Sequence, residues 1–329
     1  MHLPRTLTLT ALLLLASCSS TDETGLSKTE RLNLHREYAM KFFSTGEYAQ
    51  AERQADLGLD LDRYEPELLL IKGWVHIKRG KTDNVLYAER VFRDLVKNGD
   101  YRARIGLGEA LERKGVLFWN SADAVESGDR ATPASDPAKR AEELRRDAKK
   151  MWQESRSQYE QALEKKPDAV QAINGLQRVS ALQGDHAAAL TWSLQLLELS
   201  RSELDYWRAE LKRPNLVAAQ EEETRRYIAG GEKLVLETHL QASGLLVTLG
   251  RKDEALAQLD SALALAPGRA EIYSRRAQLH RDLGYHERAR ADIEQFLKRS
   301  TLELNHPDVQ RALDLLSECE VALGKAPGS

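Results

Sequence analysis

The chain has 329 residues, with 48 Lys and Arg against 51 Asp and Glu for a net charge of −3, and this balance lacks the basic footprint of a nucleic-acid binder. Charged residues make up 30% and aromatic residues 6%, so the body reads as water-exposed and helix-rich, with no apolar segment beyond the first twenty residues long enough to span a bilayer. Two cysteines, Cys18 and Cys319, are too few for a disulfide-built scaffold.

At the amino terminus His2 and Arg5 precede an apolar run, Leu7 to Ala16, that is short for a membrane span and ends in Leu15-Ala16-Ser17-Cys18. This pattern resembles the lipobox of bacterial lipoproteins. The resemblance implies that residues 1–17 are a signal peptide, that the Cys18 thiol receives diacylglycerol, and that cleavage makes Cys18 the first residue of the mature chain. Ser19 in place of aspartate implies export to the outer membrane, facing the periplasm. The alternative is an ordinary signal peptide with an incidental cysteine. Loss of residues 1–17, which carry Arg5 and no acid, takes the net charge from −3 to −4. A multiply acylated cysteine is a stable anchor. Residues 18–31 are expected to be the lipidated cysteine and its tether; the stretch from Ser19 to Lys28 is polar and aperiodic, about 35 Å at full extension. With Cys18 acylated, Cys319 has no partner within the chain.

Six glycines, Gly46, Gly80, Gly115, Gly184, Gly250 and Gly284, are spaced by 34, 35, 69, 66 and 34 residues, close to one or two multiples of 34. Each is expected to close the first helix of a helix-turn-helix unit. In the best copy, with Leu236 as position 1, Ala242 and Ser243 stand at 7 and 8, Gly250 at 15, Ala255 at 20, Ala262 at 27 and Pro267 at 32. This scheme resembles the tetratricopeptide repeat. In that family small residues at 8, 20 and 27 allow close helix approach, and a proline at 32 ends the second helix. Looser copies precede and follow it, and the resemblance implies an all-α solenoid of about six repeats over residues 32–303.

Two spacings exceed a repeat. Between Gly115 and Tyr159, Phe118, Trp119, Ala122 and Val125 precede a Gly/Pro/Asp break, and Leu144, Ala148 and Trp152 follow it. Leu197, Leu204, Trp207 and Leu211 similarly precede a break at Arg213-Pro214-Asn215, with Tyr227, Ile228 and Val235 after it. Both are read as antiparallel helical-hairpin insertions, about 116–150 and 200–230. Asp136 is expected to cap the returning arm of the first, with Pro137 in its opening turn. Residues 304–329 should supply a capping helix from about Pro307 to Leu323, burying Val309, Leu313, Leu316 and Cys319 or Glu320, and a tail.

No catalytic constellation stands out. His35 and His239 fall at position 4 of their units and His76 and His280 at position 11, where the family places packing residues. No phosphate-binding loop, nucleophile elbow or metal-ligand spacing occurs. The chain is therefore read as a non-enzyme without metal or cofactor. In tetratricopeptide proteins positions 2, 5, 9, 12 and 13 line a concave partner groove. The matching residues are Arg36, Met40 and Phe43, then Leu70, Trp74, Ile77 and Lys78, then Arg102, Ile105, Glu109, Glu112 and Arg113, and then Asn174 and Arg178. They make a groove that is apolar at its amino-terminal end and charged beyond. The expected function is a lipid-anchored periplasmic adaptor that binds a protein partner and assists outer-membrane complex assembly, similar in architecture to the tetratricopeptide lipoproteins that act as secretin pilotins. The alternative is a regulator that positions or activates a peptidoglycan-remodelling enzyme. Membrane attachment is through the lipid alone.

Overall fold

A computed structural model of the protein describes residues 25–129 and 136–324; Cys18, the proposed signal peptide, most of the tether and the last five residues lie outside them. Thirteen α-helices are found among the described residues. In chain order they are α1 (Lys28–Ser44), α2 (Tyr48–Leu61), α3 (Pro66–Arg79), α4 (Thr82–Leu95), α5 (Tyr101–Glu126), α6 (Pro137–Lys165) and α7 (Val170–Leu182), followed by α8 (His186–Leu211), α9 (Ala218–Thr248), α10 (Lys252–Leu265), α11 (Ala270–Asp282), α12 (His286–Arg299) and α13 (Pro307–Ala322). They form six consecutive pairs and a final helix. None is long and apolar enough to cross a membrane.

The chain divides into two compact units, one ending at Val75 and the other beginning at His76. In the first, α1 starts earlier than the tether boundary at residue 31 allows. Ser27 and Glu30 form a capping box, the Glu30 N–H donating to Ser27 Oγ at 3.3 Å and the Ser27 N–H to Glu30 Oε2 at 2.8 Å, which satisfies two otherwise orphaned donors and extends the helix. Ala39, Ala51 and Ala55 let α1 and α2 close on Leu68, Ile71 and Val75.

Five of the six spaced glycines of the chain are turn glycines, four of them in the second unit. Gly80, Gly184, Gly250 and Gly284 all have φ between 70° and 79°, and Gly46 in the first unit has 81°. Glycine reaches this left-handed region without a Cβ penalty. The helix ends at Gly184, Gly250 and Gly284 share one hydrogen-bond scheme, in which the N–H after the glycine reaches back to the carbonyl five residues before it, as Asp185 to Ser180 at 2.9 Å, Arg251 to Leu246 at 2.8 Å and Tyr285 to His280 at 2.7 Å.

Gly115 departs from the scheme. It lies inside α5, which runs unbroken for 26 residues, because an added Cβ there would stand 2.4 Å from Trp152 Nε1. This glycine makes room for a ring and turns nothing. The first insertion is accordingly a continuous lengthening of α5 and α6, with Ala122, Val125, Ala141 and Leu144 buried between them. Asp136 caps α6, accepting from the Lys139 N–H at 3.1 Å. The second insertion likewise lengthens α8 and α9 around Leu197, Leu204 and Val235, and α9 passes Gly230 and Gly231 within one helix.

The last helix packs its buried Val309, Ala312, Leu315 and Cys319 on Ile293 and Phe296 of α12. Leu313 is exposed, so the buried stripe is rotated by about one residue from the expected Leu313 and Leu316 register. Cys319 is a free, fully buried thiol, and burial raises its pKa.

Candidate protein-binding face

Three glycines on α5 each receive an aromatic ring. A Cβ on Gly106 would meet Phe92 at 2.5 Å, one on Gly108 would meet Tyr159 at 2.7 Å, and Gly115 faces Trp152. From α7, Gly175 approaches the same Tyr159 ring, with 2.2 Å left for a Cβ. Tyr159 is therefore a wedge that α5 and α7 can enclose only because both present glycine.

At its end the Tyr159 hydroxyl donates to Glu112 Oε2 at 3.0 Å. Arg178 of α7 grips the same carboxylate with two bonds, Nε to Oε1 and Nη2 to Oε2, both at 2.7 Å. Its Nη2 also reaches Glu109 Oε2 at 3.4 Å. Glu109 in turn accepts from Arg113 Nη2 at 2.8 Å. A two-point guanidinium–carboxylate bond fixes geometry as well as charge. Burial alone would depress the Arg178 pKa, but the Glu112 carboxylate outweighs it and holds the guanidinium charged. Burial likewise pushes Glu109 up, and the combined fields of Arg178, Arg113 and Lys78 carry it below the usual carboxylate range. Tyr159 is pushed up, first by burial and then by Glu112. Arg178 is thus held charged, Glu109 ionised and the Tyr159 hydroxyl protonated near neutrality. The array can present fixed charge to a partner. Among the described residues no cluster of His, Cys, Asp and Glu could hold a metal ion.

The residues expected to line the groove do not share one environment. Glu109, Glu112, Arg113 and Arg178 are brought together in the second unit, with Lys78 exposed and Asn174 half-buried on the same unit. Arg102 pairs with Asp100 at 2.8 Å at the start of α5. In the first unit Arg36 pairs with the buried Glu65 at 2.8 Å, whose other oxygen caps α3 through the Glu67 N–H at 2.6 Å. Met40 is exposed, Trp74 half-buried, and Phe43 packs against Tyr48 with ring centroids 5.8 Å apart.

The apolar end of the expected groove is corrected by burial. Leu70 is 6%, Ile77 0% and Ile105 4% exposed, so these three are core residues and cannot meet a partner. Their positions recur at the face-forming offsets, but an apolar side chain at such an offset is covered wherever a neighbouring helix is near enough to remove it from water. Of the four expected packing histidines, His239 and His280 are 2% and 7% exposed, and His35 and His76 are half-buried. Tyr159, itself fully buried, supports the charged network from below through its hydroxyl bond to Glu112, and nothing in its spacing announces that partner.

The tetratricopeptide-repeat family model matches residues 144–203 and 244–300. The chain carries tetratricopeptide repeats. These segments contain most of α6 to α8 and of α10 to α12, and the described residues have an all-α fold of the tetratricopeptide type. No curated protein matches the chain in sequence. Solved structures similar to it include a thermophilic tetratricopeptide protein of Thermus thermophilus, 20% identical, covering 77% of this chain and 98% of that one with a TM-score of 0.46. PilF of Pseudomonas aeruginosa is 12% identical, with coverage of 86% and 97% and a TM-score of 0.49. A tetratricopeptide protein of Parabacteroides merdae is 14% identical, with coverage of 87% and 99% and a TM-score of 0.38. Tetratricopeptide repeats bind protein partners, and the chain is a protein-interaction scaffold.

Proposed function

We propose that this scaffold is a periplasmic adaptor, anchored to the outer membrane by lipid on Cys18, that holds a protein partner and assists assembly of an envelope complex. The anchor rests on the Leu15-Ala16-Ser17-Cys18 sequence. The binding role rests on one observation above others: the Glu109, Glu112, Arg113 and Arg178 network, which spans the first helices of two adjacent repeats and holds charged groups in fixed positions. A preorganised charge array favours one partner and rejects others at small entropic cost.

Photo-crosslinking in intact cells tests the reading, with the probe placed at Lys78 and at Asn174. Capture of an outer-membrane assembly component at these positions supports it. Capture of a wall synthase or hydrolase replaces it with regulation of peptidoglycan remodelling. Absence of any envelope protein overturns both. Reversing Arg113 to glutamate should weaken capture about tenfold or more, since one charge facing its like costs several kcal/mol at an interface, while circular dichroism stays unchanged.

A further inference from the structure

Beyond the repeat register α8 and α9 run on to a tip, residues 212–217, whose turn places Asn215 at φ 67°, the only non-glycine residue with positive φ among the described ones. Three aromatic side chains gather beside this turn. Trp207 stacks on Tyr227 across the hairpin, with centroids 4.4 Å apart and planes 15° from parallel, and Tyr206 meets Trp207 at 5.1 Å and 73°. The two tyrosines contribute little to the hairpin core, because Tyr206 is 54% and Tyr227 47% exposed, while Trp207 is half-buried. A cleft of about 420 Å³ opens against Trp207 and Tyr227, lined further by Glu210, Arg213, Pro214, Leu216, Gln220 and Glu223. Exposed rings bordering a cleft are the usual anchor of a binding surface.

The polar groups at the tip narrow the ligand. Trp207 Nε1 reaches only Glu203 at 3.5 Å, the outer limit of a hydrogen bond. Gln220 uses its carbonyl on the Val217 N–H, which leaves its amide N–H groups to donate. Glu210 is neutralised by Arg213 at 2.6 Å. Glu223 accepts only the Tyr227 hydroxyl, at 3.2 Å, and has no cationic partner among the described residues. The site therefore offers aromatic surface, spare N–H donors and one uncompensated carboxylate. A polyproline-type segment is the complement of that set. Its carbonyls are unsatisfied, its prolines bring no competing N–H, its rings lie in grooves between aromatic side chains, and a flanking Lys or Arg answers the carboxylate. A sugar ring favours an open aromatic face, and here Tyr227 covers one face of Trp207.

We propose that the α8–α9 tip binds an extended, proline-rich protein segment that carries a basic residue, the prolines against Trp207 and Tyr227 and the base on Glu223. This rests on the protein-scaffold reading of the repeats. The test is selection of random twelve-residue peptides from a display library on the full-length protein, with Trp207→Ala as counter-selection. Peptides lost on the variant should contain at least two prolines and a Lys or Arg. A fluorescein-labelled synthetic winner should bind saturably in anisotropy titration, and Trp207→Ala or Tyr227→Ala should weaken it by about tenfold or more. Glu223→Gln should weaken it by about threefold or more, and should have no effect on the same peptide with its base changed to glutamine. Melting temperature should stay unchanged in Tyr227→Ala and Glu223→Gln, whose side chains are exposed. Tip-dependent peptides without proline, no tip-dependent peptides, or Trp207-dependent binding of tri-N-acetylchitotriose in their place would each overturn the proposal. Such a failure alongside envelope crosslinks from Lys78 removes the tip site alone and leaves the scaffold reading standing.

Discussion

Gly175 and Gly244 are both helical glycines, yet alanine should move stability in opposite directions at the two. An added Cβ at Gly175 falls 2.2 Å from Tyr159 Cζ, whereas nothing lies within 4 Å of one at Gly244. Alanine is favoured over glycine in a helix by about 0.5–1 kcal/mol, and overpacking a fixed ring costs about 1–3 kcal/mol. Gly175→Ala should therefore lower stability and Gly244→Ala raise it in urea unfolding; equal shifts would contradict the wedge. Histidines supply a second test. His239 Nε2 lies 2.9 Å from Arg201 Nη2 and its Nδ1 2.7 Å from Gln258 Oε1. Arginine only donates, so Nε2 accepts and the ring is neutral. Burial lowers the pKa of both His239 and His280, the latter despite the nearby Asp292 carboxylate. A depressed folded pKa contributes stability that is full above the unfolded value near 6.5 and is lost as pH falls through the folded value. Stability should fall between pH 7 and pH 5.5, by at most about 1.4 kcal/mol per pH unit for each ring. His239→Gln should flatten the slope. The paired carboxylates, lowered in the fold, do not contribute until more acid pH. At this scale the sequence shows which residues share a helix face. It does not show that Ile77 is covered while Lys78 is free, because that depends on how near the next helix lies.

Turns and small-residue contacts were the most legible elements, because each has one dominant physical cause. Gly184, Gly250 and Gly284 could be read as turns since few other residues tolerate their φ. Gly115 shares their spacing but answers to the bulk of Trp152, and a glycine's letter is the same for both purposes. The long α5/α6 and α8/α9 pairs were readable as hairpins from apolar spacing on either side of a breaker, but not as extensions of repeat helices, since helix periodicity continues through a glycine that packs a ring. Alanines at positions 20 and 27 are a different case, because their smallness has the single purpose of letting helices approach. Ala255 and Ala262 are both 0% exposed in the core that α10 shares with α9 and α11. Leucine at either site should cost about 1–3 kcal/mol by overpacking, read as a lower urea midpoint. Leucine tolerated at both without loss would mean that the repeat register is misplaced.

For the molecule as a whole, the repeat architecture and the proposed cellular address rest on separate parts of the chain and on unrelated physics. The repeats are legible because thirty-four-residue spacing reappears as helix pairs. Partner identity is not, since a repeat fixes which side chains share a face and leaves their chemistry free to vary. The proposed address rests on the first eighteen residues, none of which belongs to a described helix. It turns on whether the Cys18 sulfur becomes a thioether. If it does, metabolic labelling with palmitate should mark the wild-type protein, and cell fractionation should find it with the outer membrane. Two or more acyl chains give stable attachment where one gives marginal binding, so the wild type should resist extraction by high salt. Cys18→Ala should abolish labelling and leave an unprocessed or soluble form, with the helical content and melting temperature of the purified repeats unchanged, because none of the helices from Lys28 onward uses that residue. Palmitate incorporation that survives Cys18→Ala would remove the lipid anchor from the proposed function. It would leave the repeats and their charged face untouched.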